Sequence, residues 1–157
     1  LKKKKYHQGD YIPVNPKKYI ISEQSYTKGK GIRYMSSWEK KFFQWCDMNT
    51  SVVRWVSEGF PIPYIKPTDN RQHRYYPDVY IEVLVDGIIV KYVIEIKPKK
   101  ERYPPKKPRR GSNKALERYA KEMVTYQVNQ SKWKYAEAFC KQKGFIFKVM
   151  DETDLGV

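Results

Sequence analysis

The chain has 157 residues, enough for one domain with a sizeable core, since domains commonly run to about 100 to 150 residues. Its 32 Lys and Arg against 17 acidic residues give a formal charge of +15, more than solubility needs, which points to a polyanionic partner and most often to nucleic acid. The same composition argues against several classes: no run approaches the ~20 apolar residues of a membrane span, the Lys-rich start lacks the apolar segment of a secretory leader, and His7 and His73 cannot form a zinc cluster or a histidine-centred hydrolase site.

Residues 1–34 are basic, rich in Tyr and punctuated by Pro13, Pro16, Gly29 and Gly31, with no sustained period of either kind, and read as an extended basic arm ahead of a single domain over residues 35–157. From Ser36 to Met48, Trp38, Phe42 and Trp45 recur at helical spacing behind a serine N-cap. Glu39 falls inside the apolar arc of that helix, while Lys40, Lys41, Gln44 and Asp47 take the other side. A carboxylate on a buried face costs free energy unless it is paired or ligates a metal, so Glu39 is a candidate ligand; a first-turn glutamate favoured by the helix dipole is the alternative. Cys46 and Cys140 both lie on apolar helix stripes and read as reduced packing residues. Val52 to Ser57 reads as a strand, and Phe60 to Ile65, broken by Pro61 and Pro63, as an edge strand or extended connection.

From about Arg74 to Pro98 the chain alternates and is rich in β-branched residues around Asp86-Gly87, a dipeptide that favours a two-residue type I′ turn. One register follows, with Val85 opposite Ile88, Glu82 opposite Lys91 and Asp78 opposite Glu95. Val79, Ile81, Val83 and Val85 then share a core face with Ile88, Val90, Ile94 and Ile96, and the other face carries Asp78, Glu82, Lys91, Glu95 and Lys97 among apolar neighbours. Two carboxylates directly opposite, with Cβ atoms about 5 Å apart, repel unless something positive lies between them. A divalent cation held by Asp78 and Glu95 beside Lys97 resolves the conflict; two solvated charges at the open end of an exposed sheet would not need one.

Residues 98–112 are Pro-rich and strongly basic, cannot build a core and read as a mobile loop. A helical pattern then runs from Asn113 to about Lys143, with a bend or break expected near Asn129, a stop at Gly144 and a last strand over Phe145 to Met150. Gln127, Asn129 and Lys132 lie on the polar side of that helix, where they either reach the site or DNA or cap the bend near Asn129. The order is helix, strands, long helix, strand, an α/β class with a mixed sheet, and no repeat, phosphate loop or nucleotide-binding fingerprint interrupts it.

Glu39 on a first helix, Pro77-Asp78, Glu95-Ile96-Lys97, then a long helix and a strand together resemble the PD-(D/E)XK nuclease superfamily. The stretches Arg33 to Glu39, Phe60 to Tyr64, Arg74 to Asp78 and Asn129 to Trp133, with the start at residues 5–9, resemble more closely the head-completion nucleases of contractile-tailed bacteriophages, which are similar in their core to the endonuclease subunit of certain bacterial transposition systems. That resemblance implies a restriction-endonuclease-like core and a small nuclease, in the virion or the host cytoplasm, that trims packaged double-stranded DNA before heads join tails. It implies portal, neck or head proteins as partners, and neither a membrane nor a nucleotide cofactor. Asp78, Glu95 and Glu39, with the carbonyl of Ile96, are then expected to hold one or two Mg²⁺ or Mn²⁺ ions, with Lys97 orienting water or neutralising the phosphorane. Lys99, Lys100, Arg102, Lys106, Lys107, Arg109 and Arg110 are expected on the DNA backbone, although a solvated linker would look the same. Three points stay open: Glu82 in place of Glu39 as the third acid, a non-enzymatic basic plug bound to the DNA end and the neck, and a structure-selective or transposon-end endonuclease.

Overall fold

At the Asp86-Gly87 turn both residues have positive φ, 48° and 79°, the backbone that a type I′ turn requires. The computed structural model describes residues 7–21, 26–27 and 30–156. Its elements are β1 (Gly9–Tyr11), β2 (Tyr26–Thr27), β3 (Gly31–Tyr34), α1 (Ser37–Met48), β4 (Val52–Ser57), β5 (Ile62–Lys66), β6 (Arg71–Tyr75), β7 (Val79–Val85), β8 (Ile88–Ile96), α2 (Asn113–Lys143), β9 (Ile146–Met150) and α3 (Glu152–Leu155).

A four-stranded mixed sheet in the order β4-β7-β8-β9 carries the site. β7 and β8 pair in the expected register, from Val85 opposite Ile88 down to Val79 opposite Ile94, with Glu82 opposite Lys91. β9 lies parallel to β8, which requires a crossover, and α2 is that crossover. Near the base of the hairpin both faces are buried. Val79, Ile81 and Ile94 belong to the same core as Phe42, Phe43 and Cys46 of α1, whereas Tyr80 on the opposite face meets Phe60 and Phe145, and Phe60 in turn stacks on Phe139 of α2. The core face fails towards the turn, where Val85 and Ile88 are exposed.

The segment expected to be an extended arm is built into the domain. β1 and β2 flank β3 in a three-stranded antiparallel sheet, and Tyr11 and Ile32 join the core. The parts of that segment at 1–6, 22–25 and 28–29 lie outside the described residues. Asp47, placed by its spacing on the polar side of α1, is fully buried. Its carboxylate accepts from the Tyr11 hydroxyl at 2.6 Å, Val14 N at 2.7 Å and Asn15 N at 2.9 Å, while Lys18 Nζ donates to the carbonyls of Cys46, Asp47 and Asn49 at the C-terminus of the helix. The segment from Tyr11 to Lys18 thus covers Asp47 at the C-terminal end of α1, while Lys40, Lys41 and Gln44 stay exposed as their spacing predicts and Trp45 is left 45% exposed.

Two other expectations change. Ile62 to Lys66 and Arg71 to Tyr75 form a hairpin of their own, turned at Asn70 with φ 54°, and Ile62, Tyr64 and Tyr75 pack with Ala136 of α2. α2 is continuous from Asn113 to Lys143, with Asn129 buried in place of a break. Its ends are as expected: the Ser112 side chain accepts from Ala115 N, and Gly144 closes the helix at φ 73°. Among the described residues no helix is long and apolar enough to cross a membrane.

Candidate active site

Asp78 stands one residue before β7 and Glu95 one residue before the end of β8, so continuing the observed register sets them opposite each other. Asp78 Oδ2 accepts a hydrogen bond from Ile96 N at 2.7 Å. Glu95 is 4% exposed; its Oε2 accepts from the Tyr75 hydroxyl at 2.5 Å, and its Oε1 lies 3.5 Å from Lys97 Nζ. Lys97 in turn donates its backbone N–H to the Met150 carbonyl, which ties the end of β8 to β9. Glu39 sits in the first turn of α1, where its amide donates to Ser36 Oγ at 3.1 Å and its Oε2 accepts from Met35 N at 2.7 Å.

The charges act on one another. Burial, then Glu95 and Glu39, raise the Asp78 carboxyl well above the usual carboxylate range, against the Ile96 N–H and Lys97. Glu95 is also raised, chiefly by burial, although Lys97, Tyr75 and Lys132 pull it down. Burial raises Glu39 too; the Met35 N–H opposes this, and Glu58 and Glu95 add to it. Burial disfavours the Lys97 ammonium, but Glu95, Asp78 and Glu101 outweigh it and raise its pKa, so Lys97 stays a cation at working pH. The Tyr75 phenol is pushed far above its ordinary value by burial and Glu95 and therefore acts as a donor.

Asp78, Glu95 and Lys97 are brought together, and Glu39 is close enough for Asp78 and Glu95 to feel its charge. Glu39 also sits in the first turn of α1, as the helix-dipole alternative has it, and one of its oxygens accepts from Met35 N ahead of the helix. Glu82 is four residues along β7 from Asp78, roughly 13 Å at strand rise, and faces Lys91 on one side and Arg54 on the other. The seven basic residues from Lys99 to Arg110 are exposed. Arg102, however, is engaged by Asp151 at 2.8 Å, and Lys99 N donates to Glu152 at 2.8 Å, so the first turn of the basic stretch is pinned to α3 instead of hanging as a loop. Lys100 and Lys106 line a cleft of about 650 Å³ between this stretch and α2, with Arg118 and Lys121 on the helix side.

Sequence reasoning missed Tyr75 and Glu58. Glu58 has φ 49°, a conformation few non-glycine residues adopt; its N–H donates to the Asp78 carbonyl, and burial raises its carboxyl. Its position at the end of β4, before Gly59, was the available signal.

Among the described residues no three His, Cys, Asp or Glu converge into a ready-made metal cage. The donor set still fits a hard ion such as Mg²⁺, which needs one or two carboxylates and fills its other positions with water and substrate phosphates. Asp78 and Glu95 could supply two, in a place where burial and their mutual repulsion disfavour the ionised pair.

A mixed sheet with a parallel last strand, crossed by a long helix and carrying acid, acid and lysine at one end of the central hairpin, is the restriction-endonuclease-like nuclease architecture. Residues 49–152 match the TnsA-like endonuclease N-terminal family, and the chain belongs to it. The matched segment contains Asp78, Glu95 and Lys97 and begins after Glu39. The chain is also similar to the head completion nuclease of Enterobacteria phage T4, at 36% identity over 149 residues that cover 95% of this chain and 93% of that protein.

Proposed function

We propose that the protein is a Mg²⁺-dependent deoxyribonuclease that hydrolyses phosphodiester bonds of packaged double-stranded phage DNA during head completion and head–tail joining. The observation that carries this reading is the opposed pair of a half-buried Asp78 and a buried Glu95, with Lys97 Nζ 3.5 Å from Glu95 Oε1. Asp78, Glu95 and Glu39, with the carbonyl of Ile96, would hold the ion. When bound, such an ion lowers the pKa of a water and stabilises charge developing on the phosphate and the leaving oxygen. Lys97, an ammonium beside Glu95 and Asp78, would orient the attacking water or offset charge on the phosphorane. The exposed Lys99, Lys100, Lys106, Lys107, Arg109 and Arg110 would grip DNA phosphates, which positions the duplex without reading sequence. Arg102, already bound to Asp151, would shape the turn that presents them.

The setting is supported by the name of the T4 relative, a head completion nuclease. Portal, neck or head proteins are the partners that such a role implies, with the protein working in the virion or the host cytoplasm. The test is degradation of linear duplex DNA with Mg²⁺ and with EDTA. Cleavage by the wild type that is abolished by EDTA, by Asp78→Ala and by Lys97→Ala, in variants that keep a cooperative thermal transition, is the expected result. Undiminished cleavage in both variants would refute the site, and absence of cleavage by the wild type would leave a DNA-end plug as the better reading.

A further inference from the structure

Tyr75 and Lys132 have no part in the chemistry above, yet both are built against Glu95. Tyr75 ends β6, is 5% exposed and gives its hydroxyl to Glu95 Oε2. Its ring is braced from two directions. Tyr64 meets it edge-on with centroids 6.5 Å apart, and Lys132 of α2 places its ammonium 5.6 Å from the Tyr75 ring centre and 5.7 Å from that of Tyr64. Ala136, one turn further along α2 and fully buried, packs in the same cluster, and Ser131 Oγ donates to the Ile65 carbonyl at 2.6 Å, which fastens the helix to β5. The phenol is therefore held in place and cannot swing off Glu95 without disturbing this packing.

The consequence lies in the oxygens. Glu95 has Oε2 committed to a phenol and presents Oε1, beside Lys97. Asp78 likewise has Oδ2 committed to Ile96 N–H. Each of these oxygens has one of its two lone pairs engaged, which weakens it as a metal donor and favours the other oxygen of each carboxylate. Mg²⁺ is small, takes six ligands at about 2.1 Å and keeps several waters, so single-oxygen carboxylates suit it; Ca²⁺ takes six to eight oxygens and gains from two-oxygen carboxylate coordination.

We propose that Tyr75, braced by Lys132, is a positioning residue that tunes the metal preference of the site, by engaging Glu95 Oε2 and so favouring one-oxygen coordination by Glu95. The inference rests on the metal site of the proposed function.

The test is calorimetric titration of the full chain, without DNA, with Mg²⁺ and separately with Ca²⁺. Tyr75→Phe releases Oε2 and is expected to shift the ratio of the two affinities towards Ca²⁺ by about tenfold or more, within the range that outer partners of metal ligands command. Lys132→Met, which keeps the stem over the rings and removes the charge, shifts the ratio the same way by less. Lys132→Arg, whose guanidinium also sits over aromatic faces, keeps it. General damage to the fold weakens both ions together and leaves the ratio in place. An unchanged ratio in Tyr75→Phe, or a shift towards Mg²⁺, overturns the inference while the nuclease reading stands. A wild type that binds neither ion overturns both.

Discussion

Replacing Asp78 by Asn should stabilise the metal-free protein while abolishing cleavage. Asn is nearly the same shape and its carbonyl oxygen can still accept the Ile96 N–H that Asp78 Oδ2 receives, so the exchange removes a charge and little else. Two carboxylates whose Cβ atoms are about 5 Å apart repel by about 3 kcal/mol at an effective dielectric of about 20. Lys97 beside Glu95 offsets part of this, which leaves a gain of about 1–2 kcal/mol. For a chain of this length each kcal/mol moves Tm by about 2–4 °C, so Tm should rise by about 2–8 °C in EDTA at neutral pH. The pH dependence has a definite sign. The folded Asp78 carboxyl is raised above its unfolded value, so the native state binds the extra proton and wild-type stability falls as pH rises through that window. The advantage of Asp78→Asn should accordingly be full only above the raised folded value and fade as pH falls from there towards about 4. With Mg²⁺ present the order should reverse, because the ion stabilises the wild type and finds one carboxylate fewer in the variant. Differential scanning calorimetry in EDTA and in Mg²⁺ measures all of this. A lower or unchanged Tm in EDTA would refute the premise that the opposed carboxylates are a stored repulsion.

Asp47→Ala removes a fully buried acceptor of three hydrogen bonds and should cost about 3–5 kcal/mol, read as a lower denaturation midpoint in urea at constant slope. Burial tends to raise the Asp47 carboxyl, but the donors on Tyr11, Val14 and Asn15 outweigh it and hold the pKa below the usual value. Its contribution should therefore be present above about pH 4 and be lost as pH falls through the folded value, a decline that acid titration should find missing in Asp47→Asn. Changing Lys99, Lys100, Lys106 and Lys107 to Gln should weaken duplex binding in EDTA and reduce the slope of log affinity against log salt by about 3–4, whereas about six phosphate contacts in the wild type predict a loss of roughly 10³ between about 50 and 200 mM salt; fluorescence anisotropy reads both. A slope unaltered by the four changes would mean that the basic stretch is a solvated linker.

The central hairpin was legible because its signals are local: Asp86-Gly87 fixes the turn, strict alternation fixes the faces, and together they set Asp78 against Glu95 without knowledge of any distant residue. α1 with its Ser36 cap, and α2 with its Ser112 cap and Gly144 stop, were legible for the same reason. What was hidden depends on partners far along the chain. β1 and β3 are three and four residues long, too short for periodicity to register, and their burial follows from packing on α1 and Trp55. β6, Arg71 to Tyr75, is mostly exposed, so its polar sequence carries no alternation to find. Asp47 and Arg102 look like surface charges until Tyr11 and Asp151 are seen beside them, 36 and 49 residues away. Tyr75 shares this problem, because nothing in Tyr75-Tyr76 tells which ring turns inward to Glu95.

The most direct measurement is anomalous diffraction from a crystal of the wild-type protein soaked in Mn²⁺. A peak is expected between Asp78 and Glu95, bound by one oxygen of each, with Tyr75 still on Glu95 Oε2. A protein that cleaves DNA while this position stays empty, or whose Mn²⁺ lies on other residues, would contradict it.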